Sequence, residues 1–555
     1  MQGIGIGISD FKMLRLKDNY FIDKSLFIKD IIDNKSGVAL ITRPRRFGKT
    51  LNMSMLRYYL DCTKKDTLEL FKDLKIMEQG EFYTSKQGNY PCIYFTLKDV
   101  KGLNFEEMML NLQTELNELF IDNYYLTKSA KLLDAEKDMI NTIVNFKANK
   151  VQLQGALKLL SRLLYKEYET PVYIMIDEYD VPLQNAYVEG FYKETVKFFK
   201  DFFGQTFKDN QFVEKTVLTG VSRIAKESIF SGANNFDVYS VLDDEFAKDF
   251  GITSAEIEKV LKDFEIEEDL KDVKKWYDGY KIGNIEGIYN PWSILKYLKD
   301  RKIMPYWVNT SSNDIIKMVL QKSTTIKEQV ESLLKDEEIE VHINLETIIK
   351  GIENNESNIW GLMLGTGYLK VTEEIDIAES IYKVKLPNEE IKFLFRGIVR
   401  DWFKDKVIGN DLKSIMKDLI DLNYEEFTEK FKILTMQMFS YMDVGENTAE
   451  NFYHAFVLGM LVSLKDSYYV NSNRESGIGR YDIMLEPKEK AGNAFIMEFK
   501  VFKSEKESTI QETIDNAKKQ IEDKKYEANL KERGFTNITK MIFAFSGKDV
   551  KIEIY

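Results

Sequence analysis

The stretch "ITRPRRFGKTLNMSMLRYYL" (residues 41–60) decides the fold of the first half of the chain. Phosphate-binding loops need glycine because backbone N–H groups must approach the phosphates closely, and a Cβ would block that approach. In the pattern G-x-x-x-x-G-K-[ST], Gly48, Lys49 and Thr50 match, whereas Arg43 stands where the first glycine is expected. Lys49 would reach the β- and γ-phosphates, Thr50 would ligate Mg²⁺, and the following helix would contribute its N-terminal dipole. Because the first glycine is missing, the loop alone leaves open whether it binds a nucleotide.

The acidic end of a second apolar run strengthens the nucleotide hypothesis. The segment "VYIMIDEYD" (172–180) has the form of a buried central strand that ends in Asp177 and Glu178. Asp177 would hold the Mg²⁺ shell, and Glu178 would orient and deprotonate the attacking water. The alternative is that Asp177 caps a helix after an ordinary strand. The two motifs, each at the end of a predicted strand, together predict an ATP site.

The first 240 residues alternate between apolar strands and amphipathic helices. Apolar runs bounded by polar residues predict strands within 37–44, 90–97, 171–180 and 215–224, with helical stripes at 105–119 and 151–168. Strands that alternate with helices indicate a mostly parallel sheet that is covered on both faces. We therefore expect an α/β fold for this part of the chain.

Composition excludes several classes of protein. The formal net charge is -12, so any nucleic-acid site must be a local basic patch. Two cysteines and two histidines are too few for a zinc cluster or a disulfide framework, which fits a reducing cytoplasm. Apolar runs such as "AFVLGMLV" (455–462) are far shorter than the roughly 18 residues that span a bilayer. The N-terminus lacks a secretory signal, so we predict a cytoplasmic protein without a membrane partner.

The segment "GRYDIMLEPKEKAGNAFIMEFKVF" (479–502) predicts a second site on a β-hairpin. Asp482 starts one strand, and Glu498 and Lys500 share one face of the next, about 7 Å apart, while Phe499 points into the core. Cleaving a phosphodiester needs a hard cation held by oxygen ligands and a charge that positions water or stabilises the transition state. Asp482 and Glu498 suit the first need and Lys500 the second. Charged residues that decorate an exposed strand are the alternative.

Several segments carry a family resemblance. They are "GIGISDFKMLRLKDNYFIDKSLFIKDII", "RPRRFGKTLNMSML", "IDEYDVPL", "LTGVSRI", "SIFSGANNF", "WYDGY" and "IYNPWSIL". Over essentially its whole length the chain resembles the bacterial AAA-ATPase-like proteins that carry a C-terminal PD-(D/E)xK nuclease-like domain. In that family the loop commonly reads "RPRRFGKT", so the resemblance implies that Arg43 is a family trait. It also implies a nucleotide-binding loop made of Arg43, Pro44, Arg45, Arg46, Phe47, Gly48, Lys49, Thr50 and Leu51.

The resemblance suggests further nucleotide contacts. It implies that Thr219, Ser222 or Arg223 senses the γ-phosphate, and that Tyr20 and Asp23 of "YFIDKS" lie near the nucleotide. A surface salt bridge is the alternative for Arg223. Arg43, Arg45 and Arg46 could form an anion-binding cluster beside the phosphates or a solvated basic face.

At the second site, "RYDIML...FIMEFK" resembles the PD-(D/E)xK core, although Tyr481 replaces the signature proline. The resemblance implies Glu450 as a further metal ligand, with His454 one turn later on the same helix face. It also suggests that Gln520 and Tyr526 line the DNA side of the following helix. A helix N-terminal charge is the alternative for Glu450, and a buried, hydrogen-bonded histidine is the alternative for His454.

These patterns divide the 555 residues into four parts. We expect a P-loop AAA-type ATPase domain with a parallel sheet at 1–244 and a helical lid at 245–330, with a winged-helix-like arrangement as one option. A helical connecting region at 331–425 precedes a restriction-endonuclease-like α/β domain at 426–555.

Two functions fit these patterns. The first is hydrolysis of ATP coupled to a Mg²⁺-dependent nuclease, with Mn²⁺ as an option at the second site and with DNA favoured over RNA. The second is a nucleotide-switched regulatory protein whose nuclease-like domain binds nucleic acid or protein without cutting. A homo-oligomer is a further option, because in AAA-type ATPases a neighbour often supplies an arginine to the γ-phosphate.

Overall fold

The computed structural model describes residues 3–223, 236–308, 324–334, 336–345, 355–404 and 409–439. It also describes residues 457, 460, 461 and 464 and, with gaps of one to four residues, 467–555. The chain divides into two compact units. The first consists of residues 1–319 and 340–391, and the second of residues 320–339 and 392–555.

A five-stranded sheet forms the centre of the first unit. Its strands are β1 (Val38–Thr42), β2 (Cys92–Thr96), β3 (Val172–Asp177), β4 (Val213–Gly220) and β5 (Phe236–Tyr239). They lie in the order β2-β3-β4-β1-β5, and all four pairings are parallel. Every residue of β1 and β3 is buried, as is expected when helices cover both faces of a parallel sheet. The predicted parallel sheet is confirmed.

Ten helices of the described residues accompany this sheet. They are α1 (Phe11–Leu16), α2 (Leu26–Asp33), α3 (Lys49–Leu60), α4 (Glu81–Thr84), α5 (Phe105–Asp122), α6 (Asp134–Val144), α7 (Lys150–Gln154), α8 (Ala156–Tyr168), α9 (Val181–Glu189) and α10 (Tyr192–Phe207). Alternate residues of β3 enter two separate apolar clusters, because strand side chains alternate between faces. Ile174 and Ile176 join the cluster of α5, α8 and α10, whereas Tyr173 and Met175 join the cluster of α1, α2 and α3.

Smaller elements follow β5. They are α11 (Ser254–Asp263), α12 (Leu270–Tyr277), the antiparallel hairpin β6 (Tyr280–Ile282) and β7 (Ile285–Ile288), α13 (Pro291–Asp300) and α14 (Thr324–Leu334). A three-stranded sheet of order β8-β10-β9 comprises β8 (Ile339–His342), β9 (Lys370–Asp376) and β10 (Ile381–Lys385), with α15 (Glu356–Gly365) between β8 and β9 in the chain. The β6–β7 hairpin lies within the turn-rich segment 276–291.

The second α/β pattern of the sequence forms a mixed sheet of order β11-β14-β15-β16-β17. Its strands are β11 (Tyr468–Ser472), β14 (Ile483–Pro487), β15 (Ala494–Val501), β16 (Ile538–Ser546) and β17 (Asp549–Ile554), while β12 (Glu475–Ser476) pairs with β13 (Gly479–Arg480). The helices are α16 (Glu389–Lys404), α17 (Gly409–Ile420), α18 (Tyr424–Phe439), α19 (Ile510–Asp523) and α20 (Ala528–Glu532). The strands β15 and β16 are parallel, and the other three pairings are antiparallel.

The two faces of this mixed sheet bury different helices. Phe499 stacks on Phe543 and belongs to the cluster that includes Phe427 and Phe431 of α18. Ile496 lies on the opposite face, in the cluster of α19 and α20. The predicted hairpin is therefore confirmed, and the helix that follows it, α19, ends at Asp523. The helix that is predicted to carry Glu450 and His454 lies largely outside the described residues.

Within the part of the chain that the structure describes, no helix has both the length and the hydrophobicity to cross a bilayer.

Candidate functional site

The loop 43–48 connects the end of β1 to the start of α3. Gly48 precedes the 12-residue helix α3 and has a φ of 87°. Side-chain-bearing residues rarely adopt this left-handed conformation, so the loop requires glycine here. The first backbone N–H groups of a helix have no partners within the helix and carry its positive dipole end. The loop therefore ends at a potential anion site.

The side chain of Lys49 forms hydrogen bonds with the backbone at the start of the loop. Its ammonium is buried and donates hydrogen bonds to the carbonyl oxygen atoms of Arg43 and Pro44, both at 3.1 Å. A phosphate would offer this ammonium a stronger, charged acceptor than a carbonyl group.

Three predicted site residues meet at the edge of the sheet where β3 and β4 end. The hydroxyl of Thr50 donates to Asp177 Oδ2 at 2.7 Å, and the hydroxyl of Thr219 donates to Asp177 Oδ1 at 2.5 Å. Burial, together with the nearby charge of Glu178, raises the pKa of Asp177. Hydroxyl and carboxylate oxygen atoms are the hard donors that Mg²⁺ accepts, so these residues fit that cation.

Glu178 follows Asp177 directly and is half-buried. Its φ of 56° is uncommon for a residue other than glycine. Such backbone conformations cost free energy and cluster at functional sites. The candidate for orienting water thus occupies the first turn after the strand, beside the Asp177 carboxylate.

The side chain of Arg43 departs from both predicted options. It is fully buried, and its guanidinium donates to the carbonyl oxygen atoms of Thr42, Tyr239, Ser240 and Glu245 at 2.7 to 3.1 Å. Burial lowers the pKa of this guanidinium to about 10. Arg43, which replaces the first glycine, therefore connects the loop to the end of β5 through its side chain. This side chain belongs neither to an anion-binding cluster nor to a solvated basic face. The backbone of Arg43 stays a predicted nucleotide contact.

The other two arginines of the loop have separate partners. The carbonyl oxygen of Arg45 accepts hydrogen bonds from the Trp307 indole at 3.0 Å and the Asn290 amide at 3.5 Å. The guanidinium of Arg46 lies 4.3 Å from the centre of the Trp292 ring. Three residues that follow the five-stranded sheet in the chain, Asn290, Trp292 and Trp307, thereby contact the loop.

The remaining predicted residues of this region have structural contacts. Phe47 is buried with its ring edge against Tyr280, its carbonyl accepts from the Gly251 N–H at 3.2 Å, and Leu51 packs on the core cluster of α3. The Tyr20 hydroxyl donates to Asp263 at 2.7 Å, and Asp23 accepts from the backbone N–H groups of Ser25 and Lys75.

Sequence reasoning missed Asp180, the third acidic residue of "IDEYD". This carboxylate is fully buried, and its Oδ2 accepts from the backbone N–H groups of Val221 and Ser222 at 3.1 and 2.8 Å. It also accepts from the Ser222 hydroxyl at 2.8 Å. Ser222 directly precedes Arg223, and residues 224–235 lie outside the described part. The sequence feature that could have identified Asp180 is a third acidic residue three positions after Asp177.

The hairpin of β14 and β15 brings the residues of the second site together. Asp482 Oδ2 accepts a hydrogen bond from the Phe499 N–H at 2.8 Å. Glu498 is buried, and its Oε1 accepts from Lys500 Nζ at 2.8 Å and from Gln520 Nε2 at 2.5 Å. The structure therefore groups Asp482, Glu498 and Lys500 with one side chain from α19.

Tyr526 differs from its predicted place. It is fully buried, and its hydroxyl accepts a hydrogen bond from Gln520 Nε2 at 3.1 Å. Burial raises the pKa of this hydroxyl. The prediction that Tyr526 lines the DNA side of α19 is therefore wrong, because Tyr526 follows the end of this helix and its side chain is buried.

Two carboxylates of the second site fit a hard cation, since oxygen ligands suit Mg²⁺ and Mn²⁺. The described residues contain no group of three His, Cys, Asp or Glu side chains that could hold a metal. The predicted third ligand, Glu450, and its neighbour His454 lie outside the described residues.

Comparison with known proteins identifies two regions of the chain, one around each candidate site. Residues 5–230 match the family model described as "Predicted AAA-ATPase", and residues 448–554 match the "PD-(D/E)XK nuclease superfamily". The chain is also similar to the "Uncharacterized protein in vnfD 5'region" of Azotobacter chroococcum mcd 1. That similarity is 24% identity over 393 residues, which cover 70% of this chain and 68% of the relative. The predicted combination of two regions is confirmed.

Proposed function

We propose that this chain, a predicted AAA-ATPase joined to a region of the PD-(D/E)XK nuclease superfamily, hydrolyses ATP and couples that reaction to metal-dependent cleavage of DNA. The observation that carries the proposal is the hydrogen-bonded group of Thr50, Asp177 and Thr219. A hydroxyl after the loop lysine and an aspartate at a strand end are the residues with which P-loop enzymes hold Mg²⁺ on a nucleoside triphosphate.

At the first site, each residue has one task in the proposed hydrolysis. Lys49 neutralises the β- and γ-phosphates, and Thr50 and Asp177 hold Mg²⁺, which supplies further positive charge to the phosphates when bound. Glu178 orients a water molecule and takes its proton. Thr219 and Arg223 contact the γ-phosphate from the end of β4.

At the second site, Asp482 and Glu498 hold Mg²⁺ or Mn²⁺, and Glu450 supplies a further ligand. The cation, when bound, polarises the phosphodiester and activates water. Lys500 neutralises the negative charge that develops on the phosphate in the transition state. The proposal includes a cytoplasmic protein that forms a homo-oligomer, in which a neighbour's arginine completes the ATP site.

A second candidate function is a nucleotide-switched protein whose nuclease-like region binds nucleic acid without cutting it. The observation that favours it is the closed hydrogen-bond network of Glu498, Lys500 and Gln520. Glu498 Oε1 already accepts from an ammonium and an amide, so a metal ion that binds this oxygen atom must displace one of these partners.

A cleavage assay separates the two functions. Plasmid, linear and single-stranded DNA are incubated with Mg²⁺ or Mn²⁺, with and without ATP, using wild type, Lys49→Ala and Glu498→Gln. The matched controls are Lys72→Ala, at an exposed ion pair, and Glu486→Gln, on the same hairpin as Glu498. We expect wild type and both controls to cut DNA, Glu498→Gln to lose cutting, and Lys49→Ala to lose the effect of ATP. ATP hydrolysis without cutting by wild type would favour the switch.

A further inference from the structure

We infer that Asp180 is a positioning residue of the ATPase site, which fixes the backbone of Val221 and Ser222 directly before Arg223, the proposed contact of the γ-phosphate. The inference rests on the proposed ATP hydrolysis, and it assigns a task to a residue outside the loop and the metal group. Asp180 acts through the segment after β4, because its hydrogen bonds go to that segment.

The ordinary role for an aspartate at this place is to cap its own helix. Asp180 is the residue before α9, where aspartate usually accepts from the N–H groups of the first turn. Among the described residues, its side chain accepts no such bond from α9. The carboxylate is instead directed at a segment about 40 residues away in the chain, with separations of 41 and 42 residues to its backbone donors.

Packing around the carboxylate leaves this segment little freedom. The Tyr179 hydroxyl donates to the carbonyl oxygen of Ser222 at 2.7 Å, and the Tyr179 N–H donates to that of Thr219 at 3.0 Å. A Cβ at Gly220 would lie 2.6 Å from the Tyr179 ring and 2.8 Å from Asp180 Oδ1. The end of β4 therefore packs closely against Tyr179 and Asp180.

Gln184 connects the same carboxylate to the phosphate loop. Its amide nitrogen donates to Asp180 Oδ2 at 2.6 Å and to the Ser222 hydroxyl at 3.2 Å. Its amide oxygen accepts from the Arg45 guanidinium at 3.5 Å. Asp180 thus lies at the centre of a network that joins the residues after β3, the residues after β4 and the loop before α3.

Burial and the nearby charge of Glu178 raise the pKa of Asp180, and the hydrogen bonds from Ser222 oppose this shift by stabilising the charged form. Asp180 Oδ2 accepts four hydrogen bonds, from Val221, Ser222 twice and Gln184, and an anionic oxygen sustains several donors better than an amide oxygen. An asparagine would retain the shape of the side chain but would weaken these bonds. Asp180→Asn therefore tests positioning with little change in volume.

The first experiment compares ATP hydrolysis by the full-length wild type, Asp180→Asn and Glu136→Gln. Glu136 is the matched control, since it is a buried carboxylate of α6 that accepts a backbone N–H and bonds Lys166. For Asp180→Asn we expect kcat to fall roughly 10- to 100-fold, because small displacements of positioned groups cost about that much. KM and the affinity for a non-hydrolysable ATP analogue should stay within about threefold, because the loop and Lys49 remain.

The second experiment asks whether Asp180 acts through Arg223. If it does, Asp180→Asn should lower kcat little or not at all in an Arg223→Ala background, since interacting residues are not additive. A full additional loss in the double variant would overturn the inference. Unchanged kcat in Asp180→Asn, or lost ATP affinity with kcat preserved, would overturn it as well.

The third experiment does not depend on hydrolysis. Hydrogen exchange of the Val221 and Ser222 amides should be faster in Asp180→Asn than in wild type and Glu136→Gln, because these N–H groups lose their charged acceptor. Unchanged exchange would overturn the inference. If wild type hydrolysed no ATP, the proposed function would fail, and this exchange would still decide whether Asp180 positions the segment.

Discussion

The indole N–H of Trp307 donates a hydrogen bond to the carbonyl oxygen of Arg45 at 3.0 Å, across 262 residues of sequence. The backbone N–H of the same tryptophan donates to Glu390 Oε1 at 2.6 Å, and the Ser293 hydroxyl donates to Glu390 Oε2 at 2.8 Å. Trp307 thus connects the loop 43–48 to the buried side chain of Glu390 through two hydrogen bonds.

Replacing Trp307 by phenylalanine should loosen the loop. An aromatic ring would remain, but the Arg45 carbonyl would lose its shorter hydrogen bond and keep the 3.5 Å bond from Asn290, a loss of about 0.5–1.5 kcal/mol. We expect weaker ATP binding and a lower free energy of unfolding, measured by analogue titration and urea denaturation. Trp276→Phe, in the cluster of α11 to α13, is the control, and an equal loss of ATP binding there would contradict the specific role of Trp307.

Glu390 should make stability depend on pH. Burial raises its pKa from 4.5 to about 7, so the folded state holds a proton that the unfolded state releases at lower pH. Stability from this group is present below pH 4.5 and is lost as pH rises towards 7.

The difference between wild type and Glu390→Gln isolates this effect, because Asp249, whose pKa burial also raises to about 7, contributes to both proteins. We expect urea denaturation at pH 5, 6, 7 and 8 to show a steeper decline for wild type than for Glu390→Gln. Parallel curves for the two proteins would contradict the prediction.

Gly48→Ala should abolish or strongly weaken ATP binding. A residue with a side chain at a φ of 87° costs about 1–2 kcal/mol, although no described atom lies within 4 Å of the added Cβ. The same Cβ would also enter the space that a phosphate needs. Gly204→Ala in α10 is the control, since its Cβ likewise meets nothing within 4 Å and its φ is not positive. Equal ATP affinity in the two variants would refute the requirement for glycine.

Gln520→Ala should reduce metal-dependent cleavage. The amide of Gln520 orients Glu498 by a 2.5 Å hydrogen bond, and loss of such a partner typically costs 10- to 100-fold in metal affinity or activity, so a roughly tenfold effect is expected. Mn²⁺ titration by calorimetry gives a readout that does not depend on cutting. Gln511→Ala on the same helix is the control, because Gln511 bonds Asp515, Glu553 and Lys551 instead.

Local patterns in the sequence determined four strands of the parallel sheet, the loop before α3 and the β14–β15 hairpin. The buried strands β1 and β3 read as short apolar runs, and Asp177 follows the second of these runs, because burial on both faces excludes polar residues until the strand ends. Alternation along β15 likewise placed Glu498 and Lys500 on one face and Phe499 in the core. The bounds of the four proposed domains stay predictions.

Only the tertiary structure decided which distant groups meet. The buried guanidinium of Arg43 at the end of β5, the Asp180 carboxylate on Ser222 and the Gln520 amide on Glu498 join residues that lie 22 to 202 positions apart. Such hydrogen bonds leave no periodic trace, because periodicity records which face of an element is buried and not which partner covers it. The sequence by itself therefore determined the elements and their chemistry, and the packing of those elements decided the hydrogen bonds that hold the candidate sites.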